Sequence, residues 1–439
     1  MRKQLVIIGL LLLHSNGIMA QNSSSVLRIS SFREAWEYAL KNNPDQKSYA
    51  LNIEKAKSEL KTSKSFLWPS IAGSANAQHN IDLPETPVPG ELVGKPGQTF
   101  YAKFGKKNSF NAGLSLSKSI LDWQAIMQMK LSENSVLGEQ LQSDAFRQSL
   151  KQQVALYYYT AAVSQQALRS SQQDLAVADS VITLTRQKSE QGLINSITAN
   201  QSVINRNNIR QQVMNTESLL EQCRVSLKIL FGADKNTVLQ LIDPDYEDKG
   251  VANPAQSLNV DRQLLVQENQ LKSTDYKMRI QKSNFLPRLS LNTYLGQQQY
   301  NDNLSVSFAN GAWKPVSYMA LTLQVPVFTG FATKNKLKTA KIEYTIAQND
   351  WEESQRKAAL KDNLLLFEFK KSSEIVQTNL DSYHLYGQNR QLAGQQLKEG
   401  VIGLDDYFRI FEDYLKAESS YLNALSEMYT SYSTIISRQ

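Results

Sequence analysis

The sequence predicts a mainly α-helical fold with a smaller β portion, built as a duplicated unit of helix, strand, strand and long helical hairpin. The 439 residues include 11 prolines, and none of these falls within 97–243 or 327–439. Because proline breaks helix interiors, runs of this length indicate long helices. Short motifs also recur in the same order in both halves, as expected of an internal duplication. The matched positions are Pro69 and Pro287, Leu114 and Leu321, and Gly192 and Gly400.

Residues 1–20 have the pattern of a secretory signal peptide. Arg2 and Lys3 precede an apolar stretch, and Ala20 offers a small residue at the cleavage point. A membrane anchor, the alternative, needs about 20 apolar residues. Gln21 rather than Cys follows the site, which argues against lipid attachment at this cleavage.

The composition argues against several classes of function. The net charge of +7 comes from Lys and Arg interleaved with Asp and Glu, whereas a nucleic-acid footprint would be clustered. One Cys and three His offer no ligand set for a metal, and no nucleotide-binding or hydrolase motif is found. The carboxylates are scattered and nothing in the sequence pairs them. We therefore expect no cofactor, no metal and no enzymatic activity.

Each half begins with a helix that ends at a Phe-Leu-Pro-type stop, followed by two strands. The first helix covers 31–65 in the first half, where Pro44 predicts a kink or a late start, and about 260–284 in the second. Strands are expected at about 69–78 and 109–118, and at about 287–298 and 317–326. Apolar and polar residues alternate in them, most clearly in 110–117 and 319–325. This pattern fits strands that cross an outer membrane, and equally the half-buried strands of a soluble sheet.

Long helical hairpins follow the strands, at about 122–231 and about 329–438. The segment 122–191 would form a helix of about 105 Å if continuous. A seam with 4-3 spacing runs along it, typical of a coiled coil. The seam consists of Leu150, Val154, Tyr157, Ala161, Ser164, Leu168, Ser171, Leu175, Ala178 and Ile182. The predicted organisation is thus a first repeat at 21–231, a connector at 232–258 and a second repeat at 259–439.

Together these features resemble the TolC family of outer-membrane efflux proteins. The resemblance covers essentially the whole mature chain and includes the Phe-Leu-Pro stops, the strand-to-helix segment 321–330 and the glycine turns at Gly192 and Gly400. It implies a homotrimer in which each chain gives four strands to one 12-stranded β-barrel, continued by an α-helical coiled-coil barrel in the periplasm. Four strands cannot close a barrel, and open edges are not tolerated in lipid, so spanning by strands requires oligomerisation.

The function implied by the resemblance is an exit duct for solutes expelled by an inner-membrane pump. The implied partners are outer-membrane lipid, a periplasmic adaptor protein and the pump, and the implied location is the outer membrane. A non-pore coiled-coil scaffold in the periplasm or at the cell surface is the alternative that the sequence leaves open.

The helical tips carry the candidate functional residues. Asp405 and Asp406 fall where TolC-like proteins carry the aspartates that constrict the tunnel, and Arg409 stands at the place of the family's second acidic residue. Alternatively, both carboxylates favour a helix N-terminus. Adaptor contacts are expected at the two glycine turns, although the glycines could serve only to end the helices. The residues expected there are Gly192, Leu193, Gly400 and Val401.

Overall fold

The computed structural model describes residues 26–242 and 258–439, so the predicted signal peptide and most of the predicted connector lie outside the described residues. The helices are α1 (Phe32–Asn42), α2 (Pro44–Ser63), α3 (Trp123–Glu190), α4 (Ser196–Leu230), α5 (Arg262–Ser283), α6 (Ala332–Glu399) and α7 (Leu404–Ser437). The strands are β1 (Val26–Ile29), β2 (Ser70–His79), β3 (Glu85–Pro89), β4 (Thr99–Lys103), β5 (Asn108–Leu121), β6 (Val238–Leu241), β7 (Arg288–Asn301) and β8 (Lys314–Gln324).

The chain forms two compact units, and each takes segments from both predicted repeats. One unit contains the described residues of 26–43, 153–242 and 375–430, and the other contains 44–152, 258–374 and 431–439. A sequence repeat and a compact unit differ because compactness follows packing between elements and not their order along the chain. The repeat boundaries at 231 and 259 stay a prediction.

Proline divides the first helical segment, as the sequence predicts. Asn43 has ψ of 125°, which ends α1, and Pro44 opens α2. The residue before proline avoids the helical region, while proline itself suits the first helical position. The start of α1 is capped by Ser31, whose Oγ accepts a hydrogen bond from the Glu34 backbone N–H at 3.2 Å.

The four long strands form one antiparallel sheet in the order β2-β5-β7-β8, which leaves β2 and β8 at the edges. The register puts the apolar positions of all four strands on one face, including Ile71, Leu116, Leu291 and Leu321. This confirms the alternation read from the sequence. The other face is polar or small, with Ser115 opposite Tyr294.

The apolar face of the sheet is uncovered. Five of its larger side chains, Leu114, Leu295, Met319, Leu321 and Leu323, are 55–72% exposed, while Leu116, Leu289 and Leu291 are half-buried. A soluble sheet would bury this face against a second layer. The sheet also has two unpaired edges, which natural proteins otherwise cover, pair or shorten.

A tyrosine ring lies over a pair of glycines on the polar face. Gly113 and Gly296 are directly opposite each other in β5 and β7. A Cβ atom at either position would come within 2.7 Å of the Tyr294 hydroxyl. Tyr294 also stacks against Tyr318 of β8, with ring centroids 5.8 Å apart. The two glycines therefore make room for the ring that covers them.

Two small sheets were not predicted. β3 and β4 pair within the loop that follows β2, and β1 pairs in parallel with β6. β3 contains two prolines, and these argue against a strand because proline has no backbone N–H to donate to a neighbouring strand. β1 and β6 lie more than 200 residues apart, so neither short strand indicates its partner.

The long helices match the prediction closely. α3 and α6 each contain 68 residues, which corresponds to about 100 Å along the helix axis. The predicted seam of α3 is confirmed, since six of its ten positions are buried: Leu150, Val154, Ala161, Ser164, Ser171 and Ala178. Tyr157 is only half-buried, and its neighbours Tyr158 and Tyr159 are buried instead. No helix within 26–242 or 258–439 combines the length and apolar content needed to cross a membrane.

Candidate functional site

The two helical hairpins turn with the same backbone geometry. The Leu193 N–H bonds to the Lys188 carbonyl at 2.9 Å, and the Val401 N–H bonds to the Gln396 carbonyl at 2.9 Å. In both turns the preceding glycine has a left-handed φ, 72° at Gly192 and 74° at Gly400. This is the Schellman ending of a helix, in which only glycine adopts the required φ without strain.

The residue after each glycine is apolar and points into solvent. Leu193 is 68% exposed and Val401 is 67% exposed. An apolar residue at this position of a Schellman motif normally packs back on its own helix. The four residues predicted for adaptor contact therefore form two matched tips, each an exposed apolar side chain beside a glycine turn.

The predicted constriction residues lie in the first turns of α7. The Thr198 hydroxyl of α4 donates to Asp405 Oδ1 at 3.2 Å. Arg409 pairs with Asp406, with 3.5 Å between nitrogen and oxygen, and both side chains are more than half exposed. Asp405 thus links the start of α7 to the start of α4, while Asp406 and Arg409 partly neutralise each other.

An aromatic core fixes the orientation of α7 behind these residues. Leu404, Tyr407, Phe408, Phe411 and Tyr414 are buried and pack in one cluster with α3, α4 and α6. Their spacing of three and four residues puts them on one helical face. Asp405, Asp406 and Arg409 consequently lie on the solvent side of α7.

A buried ionic cluster lies farther from the tips and was not predicted. Asp174 of α3 and Glu418 of α7 are each only 2% exposed. The Arg390 guanidinium of α6 donates to Asp174 Oδ1 at 3.0 Å and lies 4.3 Å from the centre of the Tyr414 ring. The Tyr383 hydroxyl is 3.4 Å from Glu418 Oε1. These carboxylates lie on two different helices, and no sequence motif links them.

The two buried acids of this cluster both have raised pKa values. Burial, followed by the negative charge of Glu418, raises the pKa of Asp174 to about 7, although Arg390 opposes the shift. Burial also raises the pKa of Glu418. Asp174 Oδ2 is buried without a hydrogen-bond partner in the structure. Protonation of Asp174 would leave one negative charge, on Glu418, to balance Arg390.

No group of three or more His, Cys, Asp or Glu side chains in the described part of the chain could hold a metal ion. Cys223 is buried in α4, and burial raises the pKa of its thiol to about 11, so it remains a protonated packing residue.

Sequence comparison places the chain among outer-membrane channels. The family described as "Outer membrane efflux protein" matches residues 36–233. The probable efflux pump outer membrane protein TtgC of Pseudomonas putida is 22% identical over 362 residues, which cover 79% of this chain and 71% of TtgC.

Structural comparison extends the likeness to nearly the whole chain. The CmeC outer membrane channel of Campylobacter jejuni superimposes with a TM-score of 0.74 at 20% identity, covering 93% of this chain and 85% of CmeC. The open state of the Neisseria gonorrhoeae MtrE channel gives a TM-score of 0.75 at 17% identity, covering 93% of this chain and 88% of MtrE. The chain therefore has the fold of the TolC-like outer-membrane channels, and its first half also matches the outer-membrane efflux protein family in sequence.

Proposed function

We propose that the protein is the outer-membrane exit duct of an efflux or type I secretion system. The observation that carries this proposal is the sheet, whose uncovered apolar face suits lipid and whose opposite face suits a water-filled lumen. The chain passes from β5 and β8 into helices of about 100 Å, which suit a tunnel. TtgC, which resembles this chain, carries the description of an efflux-pump outer membrane protein.

The assembly we propose is a homotrimer with a 12-stranded barrel. The supporting feature is the pair of unpaired edges at β2 and β8, which can close only against other copies of the sheet. The helical hairpins would then continue the barrel as a tunnel in the periplasm. A duct of this kind has no energy source of its own, so an inner-membrane pump must drive transport.

The tips are the proposed contact for a periplasmic adaptor protein. Leu193 and Val401 are exposed, apolar and carried by matched turns, which suits a repeated docking surface around a trimer. Asp405, Asp406 and Arg409 are the proposed constriction. The Asp406–Arg409 pair makes this constriction less acidic than a ring of unpaired carboxylates.

Mass and conductance test the assembly. Light scattering of the detergent-purified protein should give the mass of three chains, and planar bilayers should show discrete pores. A single-chain mass would contradict the trimer. Extraction from membranes by carbonate without detergent would instead support the coiled-coil scaffold.

Substitution tests the constriction. Asp405→Ala with Asp406→Ala should raise basal conductance, because it removes charge and the link to Thr198 from the narrow end. The matched control is Asp413→Ala, which also removes a carboxylate from α7 but lies two turns farther along the helix. Unchanged conductance in the double variant would count against the constriction.

A further inference from the structure

An apolar cavity lies at the foot of the sheet, where strands meet helices. Its volume is about 450 Å³, within the range of small-molecule sites. Trp123 and Met127 come from the start of α3, Phe285 and Leu286 from the turn between α5 and β7, and Leu337 from the first turns of α6. These segments adjoin β5, β7 and β8. All of the lining residues belong to the same chain.

Two cations line the side of the cavity that is away from the sheet. Arg279 and Lys282 belong to α5, which leads into β7 through Pro287. They precede the start of β7 by nine and six residues, whereas Phe285 and Leu286 precede it by three and two. The cavity is therefore apolar next to the sheet and basic beyond it.

The polar side chains at this end of the sheet do not line the cavity. Arg288, on the polar face of β7, donates to Gln124 and Asn284, so these side chains mark the polar side. Neither of them is among the lining residues, most of which are apolar. The cavity is therefore separate from the side chains that continue the polar face of the sheet.

The surrounding helices carry an excess of positive charge. Residues 272–288 include five Lys or Arg and one acidic residue, and residues 331–343 include four Lys and one Glu. Arg279 is partly neutralised by Asp275 at 2.8 Å, whereas Lys282 has no ion pair within the described ranges. This charge complements an anionic lipid surface.

We propose that this cavity binds one phospholipid of the surrounding bilayer, with an acyl chain against Trp123 and Phe285 and the phosphate on Lys282 and Arg279. The proposal rests on the proposed function, because it requires the apolar face of the sheet to lie in lipid. A tryptophan between an apolar surface and a charged layer fits that depth in a membrane. The bound lipid would fill the joint between strands and helices.

Native mass spectrometry of the delipidated protein, titrated with phosphatidylglycerol, tests the site. The wild type should bind one phosphatidylglycerol molecule tightly per chain. Arg279→Gln with Lys282→Gln should weaken that binding by about tenfold or more, since it removes two cations. Met127→Trp, which fills the cavity, should weaken binding without changing the charge.

The matched control is Lys370→Gln with Lys371→Gln, which removes the same charge at exposed positions in the middle of α6. It should bind lipid like the wild type. Equal binding by all variants, or equal loss in the control, would overturn the site. Complete competition by inorganic phosphate would also overturn it, because the acyl chain would then contribute nothing.

Planar-bilayer recordings of the same preparations separate the two proposals. Wild-type protein that forms no pores contradicts the proposed function. Protein that forms pores but binds lipid equally well as wild type and as Arg279→Gln/Lys282→Gln contradicts the lipid site alone.

Discussion

The two helical hairpins share one backbone plan and are packed by different chemistry. In the hairpin of α3 and α4, the Thr185 and Ser202 hydroxyls meet at 3.1 Å in a buried contact. In the hairpin of α6 and α7, Tyr383 stacks on Tyr414 and Tyr421, with ring centroids 5.6 and 5.8 Å apart. The buried ionic cluster lies between the two hairpins, with Asp174 on α3 and Arg390 and Glu418 on α6 and α7.

The two kinds of packing differ in whether their side chains titrate near neutral pH. Small hydroxyl groups let helices approach closely and do not titrate near neutral pH. The second hairpin is held to α3 by Asp174, Arg390 and Glu418, and burial raises the pKa of both acids. The hydroxyl contact inside the first hairpin should therefore be insensitive to pH near neutrality, whereas the contact between the second hairpin and α3 should depend on pH.

The largest expected effect is the loss of Arg390. Arg390→Met leaves two buried carboxyls without their cation, which should cost about 3 kcal/mol or more of the free energy of unfolding. Arg206→Met, in the first hairpin, should cost less than about 1 kcal/mol, because its partner Asp179 is half exposed. Chemical unfolding followed by circular dichroism compares the two variants, and equal losses would contradict the distinction.

Asp174 should make stability depend on pH. Its pKa is raised from 3.8 to about 7, so the folded protein holds a proton that the unfolded chain releases. Stability should therefore fall as pH rises from 4 to 7, by up to about 1.4 kcal/mol per pH unit. Asp174→Asn keeps a neutral partner for Glu418 and should be more stable than the wild type at pH 8 but not at pH 4.

Apparent Tm values of Asp174→Asn and wild type across this range measure the effect. Asp179→Asn is the control in the first hairpin, since Asp179 is half exposed and pairs with Arg206 at the surface. A Tm difference that changes with pH to the same extent in both variants would contradict the assignment to the buried cluster.

The smallest expected effect concerns the tips, where the hairpins should behave alike. Gly192→Ala and Gly400→Ala should each cost about 1–2 kcal/mol, because both glycines have a left-handed φ. Gly403→Ala should cost little, since Gly403 lacks a positive φ and a Cβ atom there would meet no atom within 4 Å. Thermal unfolding of the three variants checks this, and unequal costs at Gly192 and Gly400 would show that the turns differ.

Much of the fold was readable from local patterns. Proline stops, two-residue alternation and the 4-3 seam each report on one element, and each element lies where its pattern fell. β3 was missed because Pro87 and Pro89 argue against a strand, yet its partner β4 supplies pairing on one side only. Such edge pairing depends on a neighbour that sequence patterns do not reveal.

The candidate site residues and the buried cluster divide in the same way. Gly192 and Gly400 were readable because a helix end has a local signal. The cluster of Asp174, Arg390 and Glu418 was not, because its members are separated by 216 and 28 residues and none stands in a motif. Burial raises the pKa of the two acids, and it depends on the packing of α3, α6 and α7 against one another.

The tyrosine ring over Gly113 and Gly296 bears on the strand register and therefore on the diameter of the pore. Sliding β5 past β7 by one residue would turn the leucine face toward the lumen, and the ring seated over the glycine pair opposes that movement. In a closed barrel, strand stagger and strand number together set the diameter. In the proposed trimer, Tyr294 would help to fix the register at three of the twelve strand interfaces, and it would thereby contribute to the pore width.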